Sequence, residues 1–410
     1  MKDWKPYTFN EAVECNPKVT AKKGDIIENC EMEDINPSYK FLYPREGKLY
    51  KGSNSKFQNG DTVFARITPC LENGKIAQVK GLKRNCGIGS TEFFVFRGKK
   101  NISDNDFVYY LSKTNLVRDT AVNSMTGASG RQRADIKAVK KISISLPPPL
   151  TQKRIASILS AYDDLIEVNN QRIKLLEQTA RELYKEWFVR MRFPGYKQAK
   201  FKKGVPDNWK TIAISDVVDF KMGQSPKSEF YNEDGIGLPF HQGVGNYGLR
   251  FPEHKVFCSV NGRIANEGDV LFSVRAPVGR LNIADRKLII GRGLAALRHK
   301  KGLNNYLFYL LQNEFSKEDL IGNGSIFNSV GKDELKKFKI FDVGDLAKKF
   351  NDFVEPIDKQ LLVLIHQNTQ LRQIRDRLLP RLISGKLQVS ESEFTELKNE
   401  QNDKKNSKNA

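Results

Sequence analysis

The sequence predicts an α+β fold in which two mixed α/β domains alternate with two long coiled-coil helices as an internal repeat. Residues 152–188 align without a gap on residues 347–383, at an offset of 195, and both stretches carry apolar residues at heptad positions. Short β-type runs and single shorter helices precede each stretch. A duplicated unit of roughly 200 residues explains both observations, and such a repeat decides the architecture before any single element does.

The repeat extends into the segments before the helices. The order of the matching segments is kept, while the offset varies between 195 and 208. A few small insertions explain this variation, so we expect two similar domains. The matches include Asp3-Trp4-Lys5 with Asn208-Trp209-Lys210, Gly60-Asp61 with Gly268-Asp269, and residues 127–133 with residues 324–330.

Heptad spacing places one apolar stripe along each long helix, and such a stripe requires a partner helix. We therefore expect the two helices to pair with each other. On the first helix the predicted pairing seam is Ile155, Leu159, Tyr162, Ile166, Asn169, Ile173, Leu176 and Leu183. On the second it is Phe350, Val354, Ile357, Leu361, Leu364, Asn368, Leu371 and Leu378.

The predicted boundaries follow from proline positions and periodicity. Residues 1–148 form the first domain, 149–191 the first long helix, 192–345 a linker with the second domain, and 346–388 the second long helix. Three prolines at 147–149 mark the end of the first domain and the start of the first long helix, because proline is tolerated in the first turn of a helix. Pro380 is expected to end or kink the second helix, because it lacks an amide hydrogen. Residues 389–410 are polar and expected to be disordered.

Within the two domains the pattern predicts the same succession of elements. Strands are expected at 62–67 and 92–96 in the first domain and at 269–274 in the second. One helix is expected around 104–115 and another at 305–314.

Composition favours an intracellular protein of several domains. A chain of 410 residues exceeds what one core usually serves. The five cysteines form no CxxC pair, which argues against a disulfide framework. No apolar run approaches the ~18 residues of a membrane span, and the first residues lack the apolar core of a signal peptide. Cytoplasm is the expected location.

The net charge of +20 is concentrated in the two domains. Residues 1–150 hold 25 Lys and Arg against 16 Asp and Glu, and residues 191–345 hold 24 against 17. Two basic domains suggest that each presents a face to a polyanion, of which nucleic acid is the commonest. A generally basic proteome is the alternative explanation.

Signatures of catalysis are weak. The pattern GxGxxG occurs at 243–248, but the following residues 249–252 cannot open a helix over a phosphate. Asn36-Pro37-Ser38-Tyr39 resembles the NPPY loop of amino-methyltransferases, but a serine replaces one proline, so a turn is expected. No P-loop motif occurs, and the four histidines show no metal-ligand spacing. The sequence therefore predicts a non-catalytic chain without a metal or cofactor of its own.

Polar loops of the two domains supply the candidate DNA-binding residues. Arginine can donate two hydrogen bonds to guanine, glutamine can pair with adenine, and lysine suits phosphate. The candidates are Lys22, Lys23, Ser129, Arg131, Gln132 and Arg133 in the first copy, and Gln224, Ser225, Lys227, Asn328, Ser329 and Lys332 in the second. The alternative is that these loops are solvated surface without a ligand. Arg66 and Arg275 are equally suited to bridging a local carboxylate.

Nearly the whole chain resembles the specificity subunit of type I restriction-modification systems. The segments that carry the resemblance are 146–156, 186–188, 193–195, 204–206 with Trp209, 324–330 and 379–387. The resemblance implies two target-recognition domains, each of which reads one half-site of a bipartite, double-stranded DNA sequence. It also implies that the two long helices join these domains.

The resemblance further implies partner subunits that perform the chemistry. Two modification subunits would bind S-adenosylmethionine and methylate adenine, and restriction subunits would hydrolyse ATP with Mg²⁺, translocate DNA and cleave it. Two other functions stay open at this point. One is a stand-alone DNA methyltransferase or nuclease with fused recognition domains, and the other is a non-catalytic coiled-coil scaffold.

A pseudo-twofold axis between the copies would make the long helices antiparallel and set a distance between the domains. About 38 residues at ~1.5 Å per residue give a rod of roughly 57 Å. Half-sites one DNA turn apart, ~34 Å, could then be reached from one side of the duplex. Asn169 and Asn368 are the lone amides on the seams, and pairing them sets Leu176 opposite Leu361. A buried polar pair of this kind can fix the register of two helices.

Overall fold

The computed structural model describes residues 3–315 and 331–389. The chain divides into two compact units. The first unit comprises residues 1–170 and 367–410, and the second unit comprises residues 171–366. The border between them crosses both long helices, so each unit contains one globular domain and one half of each helix. The domain borders predicted at 148 and 345 lie where the long helices begin.

The first unit is built on two sheets. Its strands are β1 (Lys5–Thr8), β2 (Val13–Cys15), β3 (Ile26–Cys30), β4 (Phe41–Leu42), β5 (Arg45–Leu49), β6 (Ser55–Phe57), β7 (Thr62–Ala65), β8 (Ile76–Val79), β9 (Gly87–Gly89), β10 (Phe93–Gly98) and β11 (Ser143–Leu146). Its helices are α1 (Phe9–Ala12), α2 (Asn105–Ser112), α3 (Asn115–Asn123), α4 (Ile136–Lys140), the first part of α5 (Pro149–Tyr184) and the last part of the second long helix. The strands form the sheets β2-β10-β7-β8-β4 and β5-β3-β9-β6, and β1 pairs with β11.

The first sheet is buried on both faces. β7 and β10 pair antiparallel in its centre, and alternate residues of each strand point to opposite faces. Phe64, Phe94 and Phe96 join the cluster that packs against the helices, while Val63 and Val95 join a second cluster on the other face. Burial on both sides explains why these strands appear in the sequence as continuous apolar runs.

The second unit shows the same kinds of sheet. Its strands are β12 (Phe201–Lys202), β13 (Val205–Pro206), β14 (Lys210–Ala213), β15 (Val218–Met222), β16 (Tyr231–Asn232), β17 (Leu238–His241), β18 (Phe257–Cys258), β19 (Ile264–Ala265), β20 (Val270–Ser273), β21 (Leu281–Ile283), β22 (Leu288–Ile290), β23 (Leu294–His299) and β24 (Lys339–Asp342). Its helices are the last part of α5, α6 (Asn304–Phe315), α7 (Lys332–Lys337) and the first part of α8 (Asp345–Ile383). The sheets are β15-β23-β20-β21 and β16-β18-β17-β22-β19, and β14 pairs with β24.

A buried aspartate follows a glycine immediately before the central strand of each unit. Asp61 accepts hydrogen bonds from Arg97 on β10 at 2.6 and 2.7 Å. Asp269 forms the corresponding ion pair with Arg298 on β23. The preceding glycines have φ of 86° and 79°, values that side chains rarely tolerate. The Gly-Asp pairs that the sequence aligned therefore begin a central strand and bind an arginine of the neighbouring strand in each unit.

In the first unit, α5 and α8 pack along the predicted seam. Ile155 and Leu159 of α5 share one buried cluster with Leu382 of α8. Towards the other end of this contact, Asn169 Nδ2 donates to Asn368 Oδ1 at 2.9 Å. Asn368 in turn donates to Asn170 Oδ1 at 2.9 Å. The close approach of the two seam amides that the sequence predicted is thus present, in a hydrogen-bonded form.

In the second unit, the other halves of the same helices pack in the same manner. Ile173 is buried in one cluster with Leu361, and Leu176 packs against that cluster. Further along α5, the ring of Trp187 lies 5.8 Å from that of Phe350. Within each unit, rising residue numbers on α5 meet falling numbers on α8, so the paired segments are antiparallel.

Several predicted boundaries need correction. Pro380 does not end the second long helix, which continues to Ile383, and only the last turn follows the proline. The first long helix ends at Tyr184 and continues as a π-helical turn, Lys185–Val189. The helix expected at 104–115 is shorter, and α3 follows it. The predicted disordered tail lies outside the described residues beyond Val389.

The five cysteines are free, in agreement with the absence of a disulfide framework. Among the helices that the structure describes, none is both long and apolar enough to span a membrane.

The seam predicts a contrast between two neighbouring positions of α8. Leu361 is 0 % exposed, whereas Val363 is 58 % exposed. Leu361→Ala leaves a cavity in the seam and should lower the free energy of unfolding by about 2–5 kcal/mol. The matched change Val363→Ala should alter it by less than about 0.5 kcal/mol. Urea unfolding followed by circular dichroism measures both, and equal losses would contradict the seam.

Candidate nucleic-acid interface

The 126–133 loop of the first unit is a short hairpin with an exposed tip. Thr126 and Arg133 exchange backbone hydrogen bonds of 3.1 and 2.9 Å, and the Arg131 amide donates to the Ala128 carbonyl at 3.0 Å. The amide of Thr68 donates to the Gln132 carbonyl at 3.0 Å, which ties the loop to the segment after β7. Ser129 and Arg131 are exposed. Of the predicted residues in this loop, these two are therefore the freest to meet a ligand.

Arg133 is held by an internal ion pair. Its guanidinium donates to Glu92 at 2.8 Å, and Arg66 donates to the same carboxylate at 3.1 Å. Hydrogen bonding from Arg133, and then from Arg66, lowers the pKa of Glu92, although burial acts in the opposite direction. Arg66 thus bridges to a local carboxylate, as the sequence allowed. Arg133 fixes the base of the loop. To contact DNA as well, its guanidinium would have to bind Glu92 and DNA at the same time.

Lys22 and Lys23 lie in the exposed turn before β3. The Asp25 amide donates to the Lys22 carbonyl at 3.1 Å, and Gly24 adopts φ of 96° in the turn. Both lysines are therefore presented to solvent by a defined turn, which suits contact with a phosphate.

In the second unit, a hydrogen-bonded cluster joins three segments. Ser225 Oγ donates to Gln242 Oε1 at 2.7 Å, and the Arg292 amide donates to Ser225 Oγ at 3.2 Å. The amide of Gln224 donates to the Ile290 carbonyl at 3.0 Å. The structure thus brings Gln224 and Ser225 together with two exposed side chains, Gln242 and Arg292, that the sequence did not single out.

Glycines explain the close approach in this cluster. A side chain at Gly293 would place its Cβ 2.6 Å from the Gln242 carbonyl oxygen, and one at Gly291 would lie 2.8 Å from the Gln242 Cα. The triplet Gly291-Arg292-Gly293 was the signal available in the sequence, because glycines on both sides of an arginine allow its backbone to pack tightly while its side chain stays exposed.

The remaining predicted residues of the second unit are dispersed. Lys227 is strongly exposed, with Glu229 at 3.8 Å. Lys332 is exposed in the first turn of α7. Asn328 and Ser329 lie outside the described residues.

The two suspected cofactor motifs have ordinary structural explanations. Residues 243–248 contain a 3₁₀ turn, Val244–Asn246, and no helix begins there. Asn36 Oδ1 accepts a hydrogen bond from the Ser38 amide at 3.0 Å, which is the turn expected at this position. In the part of the chain that the structure describes, no group of acidic, histidine and cysteine side chains could hold a metal ion.

Three polar side chains of the second unit, His241, His254 and Asp285, form a largely buried chain that begins at the residue before Gln242. His254 Nε2 is 2.9 Å from Asp285 Oδ1, and its Nδ1 is 3.0 Å from His241 Nε2. Because a carboxylate only accepts, Nε2 of His254 carries the proton of its contact with Asp285. Nδ1 of His241 is buried without a hydrogen-bond partner among the described residues. Thirteen residues separate the histidines in the sequence, so spacing did not predict this contact.

Burial, and then the neighbouring His254, lower the pKa of His241 from 6.5 to about 4. A folded-state pKa below the unfolded value means that the unfolded chain takes up this proton first as the pH falls. The stability contributed by neutral His241 is therefore complete above about pH 6.5 and is lost progressively towards pH 4.

This linkage predicts a difference between wild type and His241→Gln. Between pH 7 and pH 5, the wild type should lose roughly 2 kcal/mol more unfolding free energy than the variant, because glutamine does not titrate. Urea unfolding at the two pH values measures the difference. The exposed residue His366 supplies the control, and His366→Gln should keep the wild-type dependence. Equal losses in wild type and His241→Gln would contradict the assignment.

Comparison with known proteins agrees with this arrangement of two domains. The family described as Type I restriction modification DNA specificity domain matches residues 1–178 and 206–341. A Methanocaldococcus jannaschii chain described as the specificity subunit of the type I restriction enzyme MjaX is 30 % identical over 397 residues, covering 94 % of this chain and 87 % of that one. The MjaVIII specificity subunit of the same organism is 24 % identical over 421 residues, covering 96 % and 95 %.

The fold is also shared with a solved structure. The crystal structure of a type I restriction-modification S subunit from M. genitalium matches with a TM-score of 0.56 at 18 % identity, over 93 % of this chain and 96 % of that one. The family match covers most of the sequence and falls on both globular domains. The chain therefore belongs to the type I restriction-modification DNA specificity family.

Proposed function

We propose that this chain is the specificity subunit of a type I restriction-modification complex and that its two domains each read one half of a bipartite, asymmetric DNA target. The observation that carries the proposal is the double match of the specificity family, at 1–178 and 206–341. One reading domain per match gives two half-sites per chain. Among the described residues, both domains have exposed candidate DNA-binding side chains, which supports contact with DNA by each: Lys22, Lys23, Ser129 and Arg131 in the first domain, and Gln224 and Lys227 in the second.

An internal duplication with a pseudo-twofold axis is part of the proposal. In each unit a pair of antiparallel strands connects the beginning of the domain with its end, β1 with β11 and β14 with β24. Each unit also has a parallel pair of strands in the sheet that does not contain its central strand, β3 with β9 and β17 with β22. This common order of elements supports two copies of one ancestral unit that have diverged to read different half-sites.

The paired helices would act as the spacer between the half-sites. Antiparallel packing within each unit, and the hydrogen bond between Asn169 and Asn368, support a coiled coil with a fixed register. A helix of 36 residues spans roughly 54 Å, which is sufficient to separate two domains that bind about one DNA turn apart.

The helices also offer a second apolar stripe for partner subunits. Leu165, Val168 and Leu175 are exposed along α5 at helical spacing, on a face away from the seam. Phe353, Val363 and Ile374 are exposed along α8. Exposed apolar side chains repeated along a helix mark a protein interface. Two modification subunits are the proposed occupants, with restriction subunits joining the same complex.

The chemistry of the complex would belong to these partners. S-adenosylmethionine, ATP and Mg²⁺ are proposed to bind the modification and restriction subunits, and this chain to supply sequence recognition without catalysis. The cytoplasm is the proposed location, where the complex would methylate host DNA and defend against foreign DNA.

Base-resolution mapping of adenine methylation, in a host with and without this chain, tests the function. With the modification subunits present, we expect methylation at one bipartite sequence that disappears when the chain is removed. Arg131→Ala should reduce methylation by about tenfold or change the first half-site, because an arginine contact to a base is worth roughly 1–3 kcal/mol. The control Arg190→Ala removes an exposed arginine at the end of the first long helix and should change neither.

Incubation of the purified chain alone with DNA and S-adenosylmethionine distinguishes the alternatives. Methyl transfer under these conditions would contradict the proposal and favour a stand-alone methyltransferase. Absence of any sequence-dependent DNA binding by the assembled complex would favour a scaffold.

The exposed stripe predicts a separation of assembly from stability. Leu175→Glu should weaken capture of modification subunits by about tenfold or more, because it places a charge in a desolvated interface. It should change the unfolding free energy by less than about 0.5 kcal/mol, since the residue is exposed. Lys174→Gln alters the net charge equally on another face of α5 and should leave capture unchanged. Tagged co-purification measures the capture. If both variants capture the modification subunits equally, the stripe is not the docking surface.

A further inference from the structure

One buried cation of the second unit, Arg250, connects strand β21 of the domain to the long helix α8. Arg250 is only 2 % exposed, and its carbonyl accepts a hydrogen bond from the Ile283 amide of β21 at 2.9 Å. Its guanidinium donates to Asp358 of α8 at 2.6 Å. The backbone of this residue is thus bound to the domain, while its side chain is bound to the helix.

Aromatic rings of α6 define the position of this guanidinium. The guanidinium carbon of Arg250 lies 3.6 Å from the centre of the Phe308 ring and 4.9 Å from that of Tyr309. Tyr309 also donates from its hydroxyl to the same Asp358 oxygen at 3.1 Å. A planar cation between a ring face and a carboxylate has few permitted orientations.

The first unit contains a comparable arrangement around a lysine. Lys40 precedes β4, and its carbonyl accepts from the Gln78 amide of β8 at 2.8 Å. Its ammonium donates to Asp106 at 2.9 Å and to Ser160 of α5 at 2.8 Å. The side chain is 2 % exposed.

Aromatic rings also surround this ammonium. It lies 5.7 Å from the ring centre of Tyr109 and 5.2 Å from that of Tyr110, both on α2. In the sequence, Tyr109-Tyr110-Leu111 matches Phe308-Tyr309-Leu310 at an offset of 199, within the range of the internal repeat, so the two cations contact matching pairs of rings.

A buried cation holds two elements together at a high cost in desolvation free energy. Removing charges from water opposes folding, and apolar residues of the same size often stabilise as well or better. In the second unit, Arg250 Nε and Asp358 Oδ2 are buried without a partner in the described residues, so the pair is incompletely satisfied. The charged contact restricts the relative orientation of the two elements, because its energy falls quickly when the charged groups move apart or rotate.

We propose that Arg250 and Lys40 are positioning residues that fix the orientation of each recognition domain on the long helices, and through it the spacing between the two DNA half-sites. The inference rests on the proposed function, since spacing has meaning only for a bipartite target. Neither residue is required to touch DNA. Loss of either cation should let its domain change orientation while its sheets stay folded.

The test is the tolerance of the complex for spacer length. The full chain is expressed with its modification subunits and a plasmid library in which the two half-sites, known from the methylation map, are separated by spacers of different length. Wild type should methylate one spacer length strongly. Arg250→Met should reduce that preference over the neighbouring lengths by about tenfold, since misplacement by an ångström is sufficient to change rates on this scale. Lys40→Met should act in the same direction.

Matched variants separate positioning from stability. Arg298→Met removes an arginine whose partner, Asp269, lies inside the same domain, so it should keep the wild-type spacer preference even if it lowers the melting temperature equally. Arg250→Lys should restore most of the preference, because lysine performs the corresponding task in the first unit. If Arg250→Met fails to accumulate, Asp358→Asn removes the charge from the partner and should broaden the spacer profile.

Two results would overturn the inference while leaving the proposed function intact. One is a wild-type spacer profile in the folded Arg250 and Asp358 variants. The other is a uniform loss of methylation at every spacer without redistribution. If wild type itself methylates no bipartite sequence, the proposed function is the part that fails.

Discussion

Antiparallel packing between α5 and α8 is the constraint on which the rest of the structure depends. Each unit contains half of both helices, so each unit pairs two helical segments that lie far apart in the sequence. Apolar side chains are buried along the seam, and the hydrogen bond from Asn169 Nδ2 to Asn368 Oδ1 distinguishes one register from its neighbours. A slip by one heptad would leave both amides buried without a partner, at a cost of about 1–3 kcal/mol each.

Some charged residues of the domains are exposed to solvent, whereas others form ion pairs within their domain. Arg131 and Arg292 project from rigid turns, whereas Arg133, Arg97 and their acidic partners fix the loops and strands beneath them. Rigid supports matter for reading DNA, because a side chain must meet a base edge within hydrogen-bonding distance. The net charge of +20 attracts DNA without specificity, and the small number of free side chains on fixed loops would supply selection.

The sequence predicted the long helices, which follow from a periodic pattern, but it could not predict contacts between residues far apart in the chain. Heptad spacing identified both long helices and the Asn169–Asn368 contact, because a helix places every seam residue by number alone. No pattern marks Lys40 or Arg250, whose partners lie 66 and 108 residues away in the chain. Pro380 does not end the second long helix, which continues to Ile383 although proline lacks the amide hydrogen for a bond to the preceding turn. For the binding loops, the sequence supplied residue types, while exposure and internal pairing, as at Arg133, required the fold.

The most direct test of the account is to lengthen both helices together where the units meet. One added heptad after Asn170 in α5 and one after His366 in α8 keep the seam pattern and extend each helix by ~10 Å, about three base pairs of DNA. Adenine methylation mapping of this variant, with its modification subunits, should return the same two half-sites separated by a longer spacer. The original spacer in a folded, active variant would contradict the central claim that the paired helices set the distance between two independent readers.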